Sequence, residues 1–260
     1  GLAIWAAGLD GAGEGYRTFL LRWDGSELTN LTTIRNAFTQ AFFSIGTGIG
    51  CILAYSAYLD RDAHLPREAV AVVGMDTAVG LLAGMVTFPV VMSFGLQDVI
   101  SGSTLGTIFI ALPTGLASLG ATGQLVAVLF FGLAFLAAIT SAVSLLEVPV
   151  ACLMDRLNWT RSRAVWVSTA IVFVLGLPAA TSLGVLGWMD SVFGGLLLIL
   201  GGLLLALLLG WVVPRRFSDD LAQSSTPPAL RRFLLVLLRW VSPPIVATGL
   251  VISVIDLVQG

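Results

Sequence analysis

The sequence predicts an all-α polytopic membrane protein, and both its composition and its apolar runs indicate this class. Of the 260 residues, 57% are hydrophobic and 11% are charged, whereas a soluble domain has roughly 25% charged residues. The apolar runs are long and continuous, which indicates helices rather than the alternating strands of a membrane barrel. A net charge of -2 without a basic run excludes a nucleic-acid partner. No nucleophile–base pair supports an enzyme.

Six runs predict membrane crossings, because each is near the roughly 20 residues needed to span about 30 Å of hydrocarbon. Trp188, Trp211 and Trp240 lie near the ends of runs, where interfacial aromatic belts form. The runs cover residues 36–59, 77–97, 124–146, 164–189, 191–214 and 233–257, the last with Arg239 near the interface.

Two other stretches do not fit a simple crossing. Residues 1–9 are apolar but too short to span a membrane, and we expect them to be the end of a truncated preceding helix. Residues 98–123 are almost uncharged but rich in glycine, which predicts an external re-entrant loop. A weak seventh crossing is the alternative for this stretch.

The arginines predict how the chain lies in the plasma membrane. Connections 60–68, 155–163 and 214–232 together hold nine arginines. The segment 10–35 holds three, which acidic residues offset. By the positive-inside rule, the arginine-rich connections are cytoplasmic and 10–35 is an external loop.

A glycine cluster at residues 46–50 (GTGIG) interrupts the first run. Each glycine in a helix costs about 1 kcal/mol relative to alanine, so three in five residues favour a break at 45–50. Unwound backbone at this depth is tolerated where it lines a cavity, as in transporters with discontinuous helices. Close packing between helices is the alternative explanation. A dinucleotide-binding loop is excluded, because no strand precedes the glycines.

Hydroxyls and acids within the runs are the candidate functional groups. Thr140 and Ser141 lie at the centre of the third run, where they either bond back to their own backbone or bind a small cation such as Na⁺. Ser44 could add another oxygen. Intramembrane acids are candidates by default, which singles out Asp76 and Glu147, and no basic residue in these runs is expected to pair with them.

Several motifs follow one another along the whole chain, among them residues 40–50 (QAFFSIGTGIG) with Tyr55 and Tyr58, and residues 137–141 (AAITS) with Glu147 and Asp155. These two resemble the unwound sixth and the eighth helices of the neurotransmitter:sodium symporter family, in its bacterial and archaeal amino-acid type. Residues 11–22 (GAGEGYRTFLLR) resemble the external loop after the fifth helix. The seventh helix, the start of the tenth and the eleventh are resembled by Pro89 after Ala83-Gly84, Trp188-Met189-Asp190 and RWVSPP at 239–244, respectively.

The resemblance implies a fold and a place within it. Residues 36–214 would be the second, five-helix inverted repeat of a broken-helix, leucine-transporter-like fold, with about six transmembrane helices in all. A cytoplasmic loop at 215–232 and an additional helix at 233–257 would follow. The chain would be the C-terminal portion, helices six to eleven. We expect a missing N-terminal half of the same transporter to complete its sites, so that this portion does not transport alone.

The resemblance also implies Na⁺-coupled symport of an amino acid or related small amine. Sodium would be bound by Thr140, Ser141 and the carbonyl of Ala137 at one site, and by Ser44 and Asp76 at the other. Met75 stands where the family has an amide ligand, and the acid beside it would make chloride unnecessary. The substrate would contact Phe43, Ser44, Gly46, Ile49, Ser141 and Leu145. The gates would be Asp190 outside, and Asp155 with Tyr58 inside.

Two alternatives stay open. The chain could be a structural or regulatory half-transporter that acts with a partner chain. It could also belong to a proton-coupled transporter of the same architecture, for which Glu147 is the best candidate. The hydroxyls of Thr140 and Ser141 argue against proton coupling, because a hydroxyl group neither gains nor loses a proton near neutral pH.

Overall fold

The computed structural model describes residues 2–56, 63–95, 107–224 and 226–259, and the regular structure in these ranges is helical. Short π-helical turns occur at Arg17–Leu21 and Thr107–Ala111. The helices are α1 (Leu2–Ala6), α2 (Ala12–Tyr16), α3 (Leu31–Ile45), α4 (Cys51–Ser56), α5 (Leu65–Ser93), α6 (Leu112–Ala117), α7 (Gly120–Leu157), α8 (Arg161–Thr181), α9 (Leu183–Val212), α10 (Pro214–Gln223) and α11 (Pro228–Val258).

Among the described helices, α5, α7, α8, α9 and α11 are each long and apolar enough to cross a membrane. Large apolar side chains are exposed along them: Phe135 on α7 is 65% exposed and Phe173 on α8 is 67% exposed. Exposed apolar side chains suit hydrocarbon rather than water. A helix also satisfies its own backbone hydrogen bonds, as a lipid-facing segment must. The composition and the helices therefore agree on a multi-pass membrane protein.

The first predicted crossing, 36–59, is divided between α3 and α4. The side chain of Asn30 caps the start of α3 by accepting from the main-chain N–H groups of Thr32 and Thr33. The helix ends at Ile45, and Gly46 follows with φ 71°, a left-handed conformation that glycine adopts without strain. Residues 46–50 form turns, and α4 begins at Cys51. The interruption coincides with the glycine cluster.

One predicted boundary was wrong. The runs 164–189 and 191–214 were separated at Asp190, but α8 ends at Thr181 and α9 begins at Leu183. The true break is at Ser182, whose hydroxyl accepts a hydrogen bond of 3.4 Å from the Val185 N–H. Asp190 lies inside α9, at the start of a π-helical stretch, Asp190–Leu196. A capping serine, and not the charge of Asp190, forms the boundary.

The chain divides into two compact units, the first comprising Gly1–Asp24 and Gly74–Ser141. Its core is built from Val90, Leu112, Leu116 and Val126, with Trp5 packed against it. Residues 1–9, expected to be a helix end, contain the short helix α1 and contribute to this core. The described part of 98–123 contains the π-helical turn, α6 and the first residues of α7.

The second unit comprises Gly25–Val73 and Ala142–Gly260. In it α3 packs against α9 and the second half of α11. The Arg35 guanidinium lies 2.6 Å from an Asp256 carboxylate oxygen, and the Thr32 hydroxyl donates to the other oxygen at 2.8 Å. The N-terminal turn of α3 is thereby tied to the C-terminal turns of α11. This unit holds the interrupted helix.

Candidate binding site

The interruption between α3 and α4 exposes the polar end of a helix. The Gly46 N–H donates to the Phe42 carbonyl at 2.9 Å, which closes the last turn of α3. The carbonyls at a helix C-terminus carry about half a negative charge in total, because they lack partners within the helix. Phe43 and Ser44 lie in this last turn, and both side chains are exposed. The arrangement can attract a cation or a donor group of a small ligand.

The unwound segment lies flush against α9. A Cβ atom placed on Gly48 would collide with the Leu198 carbonyl, and one placed on Gly201 would collide with the carbonyl of Gly48. Leu198 is 3% exposed, so this contact is in the interior of the unit. Gly201 was not singled out from the sequence. The Gly-Gly pair at 201–202 within a run of leucines was the available signal, since small residues permit close helix approach.

The second half-helix, α4, is held against α7 by hydrogen bonds of its side chains. The hydroxyls of Tyr55 and Ser144 are 2.6 Å apart, and the Cys51 thiol donates weakly to the Ser144 carbonyl at 3.8 Å. A Cβ on Gly50 would lie 3.4 Å from a methyl group of Val148. These contacts position α4 against residues 144–148. The sequence contained Tyr55 and Ser144 but gave no reason to pair them.

On α7, two of the predicted sodium ligands are adjacent. The Thr140 hydroxyl donates to the Ala137 carbonyl at 2.8 Å. This bond back to the helix is the alternative considered for Thr140, and it also brings two hard oxygen atoms to one point of the helix. Ser141 and Leu145 are four residues apart on the same helix, so they share one face. Thr140 and Ser141 are exposed, and Leu145 is 40% exposed.

The remaining predicted residues are spread over other elements. Asp76 is half-buried in the interior of α5, whereas Asp155 near the end of α7 and Asp190 on α9 are exposed. Tyr58 lies outside the described residues. Ala137, Thr140, Ser141 and Asp76 belong to the first unit. The second unit contains the other described residues of the predicted set, Phe43, Ser44, Gly46, Ile49, Leu145, Asp155 and Asp190.

Glu147 has a basic partner, contrary to the expectation from the sequence. Both of its carboxylate oxygens accept hydrogen bonds from the Arg161 guanidinium, each of 2.8 Å. Arg161 is the first residue of α8 and belongs to the connection 155–163, which the sequence predicts to be cytoplasmic. A long arginine side chain can return from a connection to a buried carboxylate, which a search restricted to the apolar run misses.

Five of the described helices are apolar and long enough to span a membrane, and the separate pair α3 and α4 is interrupted at a glycine cluster, as in broken-helix membrane transporters. The chain belongs to the sodium:neurotransmitter symporter family, because the model of that family matches residues 2–259. This confirms the family resemblance and the fold class expected from the motifs.

Relatives and a solved structure give the same result. An uncharacterized sodium-dependent transporter of Bacillus subtilis, YhdH, is 38% identical over 68% of this chain and 38% of its own length. An uncharacterized sodium-dependent transporter of Haemophilus influenzae is 30% identical over 86% of this chain and 50% of its own length. The crystal structure of MhsT in complex with L-phenylalanine superposes with a TM-score of 0.86 and 35% identity, over 97% of this chain and 58% of MhsT. The chain thus spans about half the length of such relatives or less.

Proposed function

We propose that the full-length protein containing this chain is a sodium-coupled symporter of a neutral amino acid or related small amine. The observation that carries the proposal is the interruption of α3 and α4 at residues 46–50, with Gly46 in the left-handed conformation. Broken helices in transporters present their polar ends to substrate and coupling ions near the middle of the membrane. Family membership supplies the ion, since the family is one of sodium symporters.

Sodium binding is assigned to oxygen atoms, because a hard cation prefers oxygen ligands. The second sodium site would use Thr140, Ser141 and the Ala137 carbonyl, and the first would use Ser44 and Asp76. In support of the former group, the Thr140 hydroxyl oxygen and the Ala137 carbonyl oxygen are 2.8 Å apart, close enough for one cation to contact both. Asp76 would add a fixed negative charge at the first site, and transport would not require chloride.

The substrate would contact Phe43, Ser44, Gly46, Ile49, Ser141 and Leu145, which are mostly apolar or small. The absence of a charged residue from this set favours a substrate with an uncharged side chain. The MhsT structure contains L-phenylalanine, and a Drosophila melanogaster relative, 31% identical, is a sodium-dependent nutrient amino acid transporter. Both names support an amino acid as the substrate class.

Opening and closing would involve acids at the two ends of the site. We assign Asp190 to the external gate and Asp155, with Tyr58, to the internal gate. The exposed carboxylates of Asp155 and Asp190 are accessible to basic partners. Residues 60–68, 155–163 and 214–232 would face the cytoplasm of a cell whose plasma membrane holds the protein, as their arginines predict. The partner residues would come from the N-terminal half.

Proton coupling through Glu147 is the less favoured alternative. Glu147 is 8% exposed, and its carboxylate accepts hydrogen bonds from both terminal nitrogens of Arg161. A proton carrier would have to give up this ion pair in each cycle. A structural half-transporter remains the other alternative, and it predicts no uptake by the full-length protein.

The test is uptake of a panel of radiolabelled amino acids by the full-length protein in vesicles, with and without a sodium gradient. Thr140→Ala and Ser141→Ala should each raise the sodium concentration required for half-maximal uptake. Thr181→Ala is the matched control, because the Thr181 hydroxyl also donates to a carbonyl three residues earlier, at 3.0 Å, but lies outside the site. Unaltered sodium dependence in both site variants would refute the assignment, and no uptake of any amino acid would refute the function.

A further inference from the structure

Two tryptophans and an arginine form a cluster where α9 ends. The rings of Trp211 and Trp240 meet edge-to-face with centroids 5.0 Å apart. The Arg239 guanidinium carbon lies 4.5 Å from the centre of the Trp211 ring, and the Trp211 indole N–H donates to the Arg239 carbonyl at 3.1 Å. Tryptophan and arginine with this arrangement are typical of the boundary between hydrocarbon and lipid headgroups.

A cleft of about 320 Å³ opens beside this cluster, lined by the continuous stretch Trp211–Arg216. Its walls change character along the chain. Trp211 and Val212 end the 30-residue apolar helix α9, Val213 follows it, and Arg215 and Arg216 lie in the first turn of the amphipathic helix α10. The cleft therefore lies where an apolar span gives way to charge, which is the depth of lipid headgroups.

The charged residues of α10 are arranged unfavourably with respect to its helix dipole. Arg215 and Arg216 are in the first turn, where acids are favoured, and Asp219 and Asp220 are in the second half, where bases are favoured. Arginine and aspartate four residues apart could compensate for this by pairing. Within the described residues, however, no carboxylate oxygen lies within 4.0 Å of either arginine. Neither the helix dipole nor a carboxylate within α10 therefore stabilises the charges of Arg215 and Arg216.

We propose that this cleft binds the headgroup of an anionic phospholipid. The phosphate is held by Arg215 and Arg216, because guanidinium groups bind phosphate oxygens in a bidentate manner. The acyl chains run along the apolar end of α9, beside Trp211 and Val212. Basic clefts at the cytoplasmic ends of transmembrane helices attract anionic lipids, and the arginine-rich connection 214–232 is the one we assign to that side. The site is separate from the residues proposed for substrate and sodium.

The experiment uses the full-length protein in phosphatidylcholine vesicles that contain phosphatidylglycerol. Either phosphatidylglycerol or phosphatidylcholine carries bromine on its acyl chains, and quenching of tryptophan fluorescence reports which lipid is near. The signal of Trp211 is the difference between the unmodified protein and Trp211→Phe. We expect brominated phosphatidylglycerol to quench Trp211 more than brominated phosphatidylcholine at equal mole fraction.

The preference should fall by about fivefold for each arginine removed in Arg215→Gln and Arg216→Gln. Each single variant is measured, so that an unstable double variant does not remove the test. Arg17→Gln/Arg22→Gln removes the same charge in the other unit and should keep the preference. Equal quenching by the two lipids, or an unchanged preference in both single variants, would overturn the proposal. An equal loss in Arg231→Gln/Arg232→Gln would indicate diffuse surface charge, and displacement by inorganic phosphate would indicate a soluble anion; either would also overturn it.

Discussion

Glu147 and Arg161 join α7 to α8 through two parallel hydrogen bonds of 2.8 Å between a buried carboxylate and a guanidinium. The two residues differ in their access to solvent. The Glu147 side chain is 11% exposed, whereas the Arg161 side chain is 55% exposed. An ion pair with one buried partner depends on the other to compensate its charge, so the two residues should not be equally replaceable.

Replacement of Arg161 should therefore cost more stability than replacement of Glu147. Arg161→Gln leaves a buried carboxylate without its cation, and we expect a loss of about 2 kcal/mol, below the full cost of breaking a buried pair because solvent reaches one side. Glu147→Gln leaves a cation that can turn to water, and should cost less than half of this. Thermal or denaturant unfolding of the full-length protein in detergent measures both.

Arg163→Gln is the control for this comparison, because Arg163 lies in the same turn of α8 but stacks on Trp159 at 4.3 Å rather than on an acid. It should change stability by less than about 1 kcal/mol, the range for an exposed cation–π contact. A larger effect of Glu147→Gln than of Arg161→Gln would contradict the asymmetry.

The contact between Gly48 and Gly201 predicts opposite effects for two identical substitutions in α9. Gly201→Ala adds a methyl group that collides with the Gly48 carbonyl, and overpacking of this kind costs about 1–3 kcal/mol. It should also reduce uptake, because the methyl group displaces the unwound segment. Gly187→Ala meets nothing within 4 Å and should be neutral or stabilising by up to about 1 kcal/mol. Uptake and unfolding are measured on both variants, and indistinguishable behaviour would argue against the contact.

The hydrogen bond between Tyr55 and Ser144 should appear as a coupling in a double-mutant cycle. Its oxygens are 2.6 Å apart and Tyr55 is 48% exposed, so we expect a coupling of about 0.5 kcal/mol, toward the lower end for a neutral hydrogen bond. The cycle compares Tyr55→Phe, Ser144→Ala and the double variant by unfolding in detergent. Additive losses would mean that the bond does not hold α4 to α7.

The proposed assignment of Asp76 to the first sodium site predicts chloride-independent uptake. A fixed carboxylate beside the first sodium site would supply the negative charge that a bound anion would otherwise provide. Replacement of chloride by gluconate should leave the initial rate of sodium-driven uptake unchanged. Asp76→Asn should raise the sodium concentration for half-maximal uptake. A large loss of rate in gluconate with the unmodified protein would contradict the prediction.

Local chemistry made several of these features predictable. Three glycines within residues 46–50 oppose a helix wherever they occur, and α3 and α4 are separated there. The end of α8 was not predictable from charge, because Asp190 lies inside α9 and the capping residue Ser182 marks the boundary. The pairing of Glu147 with Arg161 was missed because the carboxylate and its partner are 14 residues apart and belong to different helices.

The amino-acid sequence by itself determined that this chain forms apolar helices in a membrane and that the first is broken at its glycines. Both follow from the chemistry of individual side chains, namely their transfer from water and their cost in a helix. The tertiary structure alone decided that Gly48 rests on α9, that Tyr55 meets Ser144 and that Glu147 is neutralised by Arg161. These contacts depend on which segments pack together and on how closely their backbones approach. Neither can be inferred from a residue and its neighbours in the sequence.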